Sequence, residues 1–138
     1  MERTKKTSIG TELLVNALRH QGAEIIFGYP GGAALHIYDE FFRQNVNHVL
    51  ARHEQGAGHM ADGYARVAGR VGVAVTTSGP GATNIVTAVA TAQMDSVPLV
   101  VISGQVTTSG IGKDAFQETD VVSLMTPITK YAYQVEDA

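Results

Sequence analysis

The chain has 138 residues, enough for one ordinary domain with a real core. An apolar fraction of 44% is globular, and a net charge of −3 with scattered Lys and Arg gives nucleic acid and anionic membranes no basic stripe to bind. The absence of cysteine fits a reducing, cytoplasmic compartment, no apolar run is long enough to span a membrane, and the charged start Met1 to Lys6 is not followed by the apolar stretch of a secretory signal.

In chain order, Leu13, Leu14, Ala17 and Leu18 form the apolar face of a first helix, with Ser8 or Thr11 as its cap and Gly22 as its stop. A strand over Glu24-Ile25-Ile26-Phe27 runs into the turn Gly28-Tyr29-Pro30-Gly31-Gly32, after which Leu35, Tyr38, Asp39 and Phe42 resume helical spacing. Two further cycles follow: a strand within Val46 to Ala51 with a helix from Gln55 to Ala68, then Val71 to Thr76 with a helix from about Ala82 to Met94. A fourth strand, Leu99 to Ser103, leads into the long polar loop Gly104 to Glu118, a length that usually marks function. A short helix around Val121 to Met125 and a last strand, Tyr131 to Val135, complete the reading. Strands alternating with helices over short connections predict an α/β fold, a three-layer parallel sheet with right-handed crossovers and helices on both faces.

Glu54 stands where the strand ending Val49-Leu50-Ala51 turns into a helix with Ala57, Met60, Ala61, Tyr64, Ala65 and Ala68 at every third or fourth position. In an open parallel sheet the carboxyl ends of the strands rim the ligand crevice, so Glu54 faces a bound molecule. A simpler role, complementing the helix dipole, is equally open to it. Gly56 and Gly58 are costly at a helix start unless backbone or ligand comes close, which favours a site. The cluster His53, Glu54 and His59 does not form a zinc helix, because the second imidazole arrives at i+6 instead of i+4. No metal site is expected in this stretch.

The glycines at 28, 31, 32, 79 and 81 form neither a P-loop, lacking Gly-Lys-Ser/Thr, nor a complete dinucleotide fingerprint, since Asn84 takes the place of its third glycine and Ser103-Gly104-Gln105 that of its ribose acid. Tight strand-to-helix turns would also account for them.

Taken together, Arg52-His53-Glu54-Gln55-Gly56-Ala57, Gly28-Tyr29-Pro30-Gly31-Gly32 and Thr77-Ser78-Gly79-Pro80-Gly81-Ala82-Thr83-Asn84 resemble the pyrimidine-binding domain of thiamine-diphosphate enzymes. Met94 to Ile102 and Asp114-Ala115-Phe116-Gln117-Glu118 narrow the resemblance to the catalytic subunit of acetohydroxyacid (acetolactate) synthases. It runs from about Gly10 to Val135, with departures at His36, Thr107 to Ser109 and Lys113.

The resemblance implies a cytoplasmic enzyme that decarboxylates pyruvate and condenses it with pyruvate or 2-oxobutyrate. A glutamate matching Glu54 bonds N1′ of the aminopyrimidine and favours the tautomer that activates the cofactor. Tyr29, Pro30 and Gly31 lie along the cofactor, Thr77, Pro80 and Asn84 frame the pyrimidine or a partner domain, and Gly32 and Ala33 face the substrate. Phe116 and Gln117 close over the reacting carbon or approach a flavin, whereas residue type alone makes Phe116 a core residue and Gln117 an exposed one. The family also implies Mg²⁺ and FAD, bound mainly by domains not found between residues 1 and 138, so that the stretch reads as a single N-terminal domain, truncated and inactive alone. Small 2-oxo acids, a second copy of the chain in a homodimer or higher homo-oligomer, and a regulatory small subunit are its implied partners. Another thiamine-diphosphate lyase or oxidase, such as a pyruvate oxidase or sulfoacetaldehyde acetyltransferase, and a non-catalytic assembly module remain as alternatives.

Overall fold

The computed structural model describes residues 9–136. In chain order they form α1 (Gly10–His20), β1 (Ile26–Gly28), a 3₁₀ turn at Gly32–Ala34, α2 (Leu35–Arg43), β2 (His48–Leu50), α3 (Glu54–Ala68) and β3 (Gly72–Thr76). Then come α4 (Pro80–Asn84), α5 (Val86–Met94), β4 (Leu99–Ser103), a 3₁₀ turn at Thr108–Gly110, α6 (Val121–Met125) and a 3₁₀ turn at Thr126–Ile128.

All strand pairs are parallel, in the order β2-β1-β3-β4, with Phe27 opposite Val49 on one side and Ala74 on the other. Alternation along each strand sends side chains to both faces. Phe27 and Ala74 pack with Ala57, Ala61, Ile85 and Met125 under α3, α5 and α6. Ile26, Val73 and Val75 pack with Val15 and Phe41 under α1 and α2. The expected α/β sheet with helices on both faces is therefore present.

Several local expectations are corrected. In α1 the buried residue is Val15, while Leu13 and Ala17 are exposed, and Thr11 lies inside the helix, whose N-cap is Ile9. Ser8 lies outside the described residues. Gly22 does end the helix, at φ +79°, with the Ala23 N–H donating to the Leu18 carbonyl. In α2, Leu35 and Phe42 are exposed, Phe42 at 86%, because Tyr38 and Phe41 form the face that packs on Val15, Ile26, Val73 and Val75; Ala34, at the end of the preceding 3₁₀ turn, is buried as well. Leu50, the last residue of the edge strand β2, is exposed.

The helix expected from Ala82 to Met94 starts earlier, at Pro80, and breaks at Ile85. Pro80 suits a first helical position, and Gly79 at φ +52° supplies the sharp turn before it. Ile85 is fully buried and occupies the space that Gly58 leaves on α3, where an added Cβ would come within 2.9 Å of it and 2.5 Å of the Ala88 Cβ. Gly58 thus admits a neighbouring helix and no ligand, and nothing lies close to Gly56. The strand expected at Tyr131 to Val135 is absent: this stretch pairs with no sheet edge, and the rings of Tyr131 and Tyr133 stack on each other 6.1 Å apart. An alternating aromatic pattern makes a strand only when an edge is there to receive its hydrogen bonds.

Candidate functional site

From β1 the chain goes to β2 on one side and then to β3 on the other, so the strand order reverses between β1 and β3. Beyond their carboxyl ends such a reversal leaves a crevice, because the two following connections diverge to opposite faces. The turn after β1 and the segment Thr77-Ser78-Gly79 after β3 line it.

Glu54 opens α3 and is only 7% exposed. His53 caps the helix, its Nδ1 accepting from the Gln55 N–H at 3.1 Å, so this imidazole has a structural task. Across the crevice the Asn84 side-chain amide donates to Glu54 Oε2 at 3.0 Å. Among the described residues Oε1 accepts no hydrogen bond. A Cβ at Gly81 would lie 3.4 Å from that Oε1 and 2.7 Å from Thr77 Cγ2, and one at Gly31 would lie 2.6 Å from Thr77. The two glycines therefore let the turns after β1 and β3 close on the Thr77 side chain beside the carboxyl group.

Thr77 organises the floor. Its Oγ1 accepts from the Ala33 N–H at 3.2 Å, tying the 3₁₀ turn to the segment after β3, and its carbonyl accepts from the Ser103 hydroxyl at 3.0 Å, tying that segment to the end of β4. The Val75 carbonyl takes both the Tyr29 N–H, at 3.2 Å, and the Tyr38 hydroxyl, at 3.0 Å. Burial, and after it the negative charge of Glu54, push the Tyr38 hydroxyl well above its ordinary pKa. It is a neutral donor pinned beneath the crevice.

Of the residues singled out in the sequence, Gly31, Ala33, Glu54, Thr77 and Asn84 are brought together. Pro80 opens α4 at the surface, Tyr29 and Gly32 are exposed at the rim, and Pro30 is half-buried between them. Phe116 is 88% exposed, so residue type alone misplaces it in the core, and Gln117 is exposed, with its carbonyl 2.5 Å from where a Gly79 Cβ would be. Tyr38 and Ser103 were missed. A tyrosine on an apolar helix face needs a partner for its hydroxyl, and that was the one available signal.

Among the described residues no group of three or more His, Asp or Glu is gathered as a metal site, and no helix is long and apolar enough to cross a membrane. The hollow among Val15, Arg19, Ile26 and Val46, of about 180 Å³, lies at the opposite end of the sheet from Glu54.

Residues 9–124 match the family described as thiamine pyrophosphate enzyme, N-terminal TPP binding domain. The chain is 55% identical to the acetolactate synthase large subunit of Lactococcus lactis over 98% of its own length and 24% of that protein's. It is 57% identical to the acetolactate synthase isozyme 3 large subunit of Escherichia coli, and 54% identical to a probable acetolactate synthase large subunit of Methanocaldococcus jannaschii, in each case over 92% of the chain and 22% of the relative. It spans about a quarter of the length of these curated relatives. The match covers most of the chain and includes the whole crevice, from the turn after β1 through Glu54 to Asn84: the chain belongs to the N-terminal TPP-binding domains of thiamine pyrophosphate enzymes.

Proposed function

We propose that this chain is the pyrimidine-binding part of an acetolactate synthase, an enzyme that decarboxylates pyruvate and joins the two-carbon unit to pyruvate or 2-oxobutyrate. The observation that carries the reading is the Glu54 carboxyl group: nine-tenths buried at a strand-to-helix corner, held through Oε2 by Asn84, with Oε1 beside Gly81 and without a hydrogen bond among the described residues. Such a site suits the flat, nitrogen-bearing end of thiamine diphosphate. The cofactor supplies the carbon nucleophile and the electron sink for decarboxylation.

The chain's residues orient and protonate. Glu54 would hold a ring nitrogen and share a proton with it through the oxygen that Asn84 leaves free. Asn84 restricts the rotation of the carboxyl group, so less freedom is lost when the ring arrives. Tyr29, Pro30 and Gly31 run along the cofactor, Thr77 and Pro80 frame it, and Gly32, Ala33, Phe116 and Gln117 face the 2-oxo acid.

In the same reading Mg²⁺, the diphosphate and FAD are held by chain outside this stretch, which is inactive alone. The working unit is a cytoplasmic homodimer or higher homo-oligomer, and the designation of the relatives as large subunits supports a smaller regulatory partner. The test is acetolactate formation from pyruvate by this domain joined to the remaining three-quarters of a relative, with thiamine diphosphate and Mg²⁺. Acetolactate as product supports the reading; oxidation of pyruvate without condensation would overturn it.

A further inference from the structure

We propose that Glu118 is a positioning residue, whose carboxylate draws residues 112–115 into a closed turn and thereby seats the Gln117 carbonyl against Gly79 at the mouth of the crevice. By sequence Gly104 to Glu118 is a long polar loop. In the structure it is tied at the neck and in the middle.

At the neck the Gln105 side-chain amide donates to the Thr119 carbonyl at 3.0 Å, while its Oε1 accepts from the Val106 N–H at 2.9 Å. These bonds close residues 105–119 into a compact loop whose ends are adjacent. Within it the Gly110 N–H donates to the Thr107 carbonyl at 2.7 Å, and the Lys113 N–H donates to the Gly110 carbonyl at 3.2 Å. The Glu118 carboxylate is the hub. Its oxygens accept from the backbone N–H groups of Gly112 and Ala115, the latter at 3.0 Å, and its own N–H donates to the Ala115 carbonyl at 2.9 Å.

The conformation needs such a hub. Asp114 and Gln117 have φ of +54° and +61°, a left-handed backbone that costs free energy in any residue but glycine. Hydrogen bonds to an ionised acceptor are the stronger kind and can offset that strain. The same bonds, to Gly112 first and then Ala115, hold the Glu118 carboxyl below the usual carboxylate range.

The link to the crevice is direct. The Gln117 carbonyl would sit 2.5 Å from a Cβ at Gly79, so the loop rests on the turn that starts α4. Phe116 stands between the anchored Ala115 and Gln117 and points away from the core. Its effect on substrate rests on the proposed function; the loop geometry does not.

The test compares Glu118→Ala and Glu118→Gln with the parent. In this chain, amide exchange at Gly112 and Ala115 should be at least about ten-fold faster in Glu118→Ala, with Glu118→Gln intermediate because it keeps one acceptor, while the β3 amides stay protected. The Gly79 resonance should shift in Glu118→Ala and return towards the parent's in Glu118→Gln. In the assembled enzyme, Glu118→Ala should raise KM for pyruvate about ten-fold, with kcat and thiamine diphosphate affinity nearly unchanged. Unchanged exchange at Gly112 and Ala115 overturns the proposal, as does faster exchange with both Gly79 and the pyruvate KM unmoved. An assembled parent enzyme that makes no acetolactate overturns the proposed function instead, and the exchange and Gly79 readouts still decide the role of Glu118.

Discussion

The side-chain amide of Asn84, the last residue of α4, donates to Oε2 of Glu54, the first residue of α3, at 3.0 Å. Two helix ends thirty residues apart in sequence thus set the direction of one buried carboxyl group.

Glu54→Gln keeps an acceptor for Asn84 and removes the exchangeable carboxyl proton. In the assembled enzyme it should lower turnover by about 10²- to 10⁴-fold, with an unchanged circular-dichroism spectrum. Asn84→Ala loses one hydrogen bond and should cost roughly ten-fold. Acetolactate production under saturating cofactor measures both. Parent-like rates in Glu54→Gln would sink the role assigned to the carboxyl group.

Two glycines of α3 should respond to alanine in opposite directions. At Gly56 nothing lies near an added Cβ, so the gain from replacing glycine in a helix, about 0.5–1 kcal/mol, should appear as stabilisation. At Gly58 the added Cβ would meet Ala88 at 2.5 Å and Ile85 at 2.9 Å, and overpacking there costs about 1–3 kcal/mol, enough to outweigh the same gain. Urea midpoints of the two variants provide the comparison.

His48 makes stability fall on mild acidification. Its ring sits edge-on to Tyr38 at 5.1 Å and tilted against Phe41 at 6.0 Å, and its Nε2 is buried with no hydrogen-bond partner among the described residues. Burial lowers its pKa in the fold, whereas the unfolded chain takes up the proton near pH 6.5. Below that pH the unfolded state binds more protons, so stability is lost as pH falls from about 6.5 towards the folded value, by at most about 1.4 kcal/mol per pH unit. Denaturation at about pH 7.5 and about pH 5.5 should show the loss, and His48→Phe should flatten it. An equal slope in that variant would place the sensitivity elsewhere.

The crevice end of the molecule should pair with a second copy. Tyr29 and Leu35 are exposed beside it at 41% and 57%, and Phe116 stands free, an apolar rim that a monomer seldom leaves in water. A two-fold dimer would cover the same patch on both chains. Sedimentation at micromolar concentration should find it, weakened by Leu35→Asp. A strictly monomeric species would count against the pairing.

Much of this was local, and therefore legible. Short apolar strands alternating with helices dictate a parallel sheet, because no hairpin can join parallel neighbours. The corner at Glu54 and the turns at Gly28 to Gly32 and Gly79 to Gly81 follow from chain chemistry within a few residues. The helix phase of α2 was not local: Leu35 and Phe42 fit the periodicity as well as Ala34 and Phe41 do, and only the packing of Tyr38 and Phe41 on Val15, Ile26, Val73 and Val75 chose between them. The same holds for Tyr131 to Val135, a strand pattern that found no edge. The meaning of Gly58 came from α5, a helix thirty residues away. The reversal of strand order between β1 and β3, the bond from Asn84 to Glu54 and the hub at Glu118 depend on contacts between distant segments. Periodicity reports which face of an element is apolar, and tertiary packing decides which neighbour that face meets.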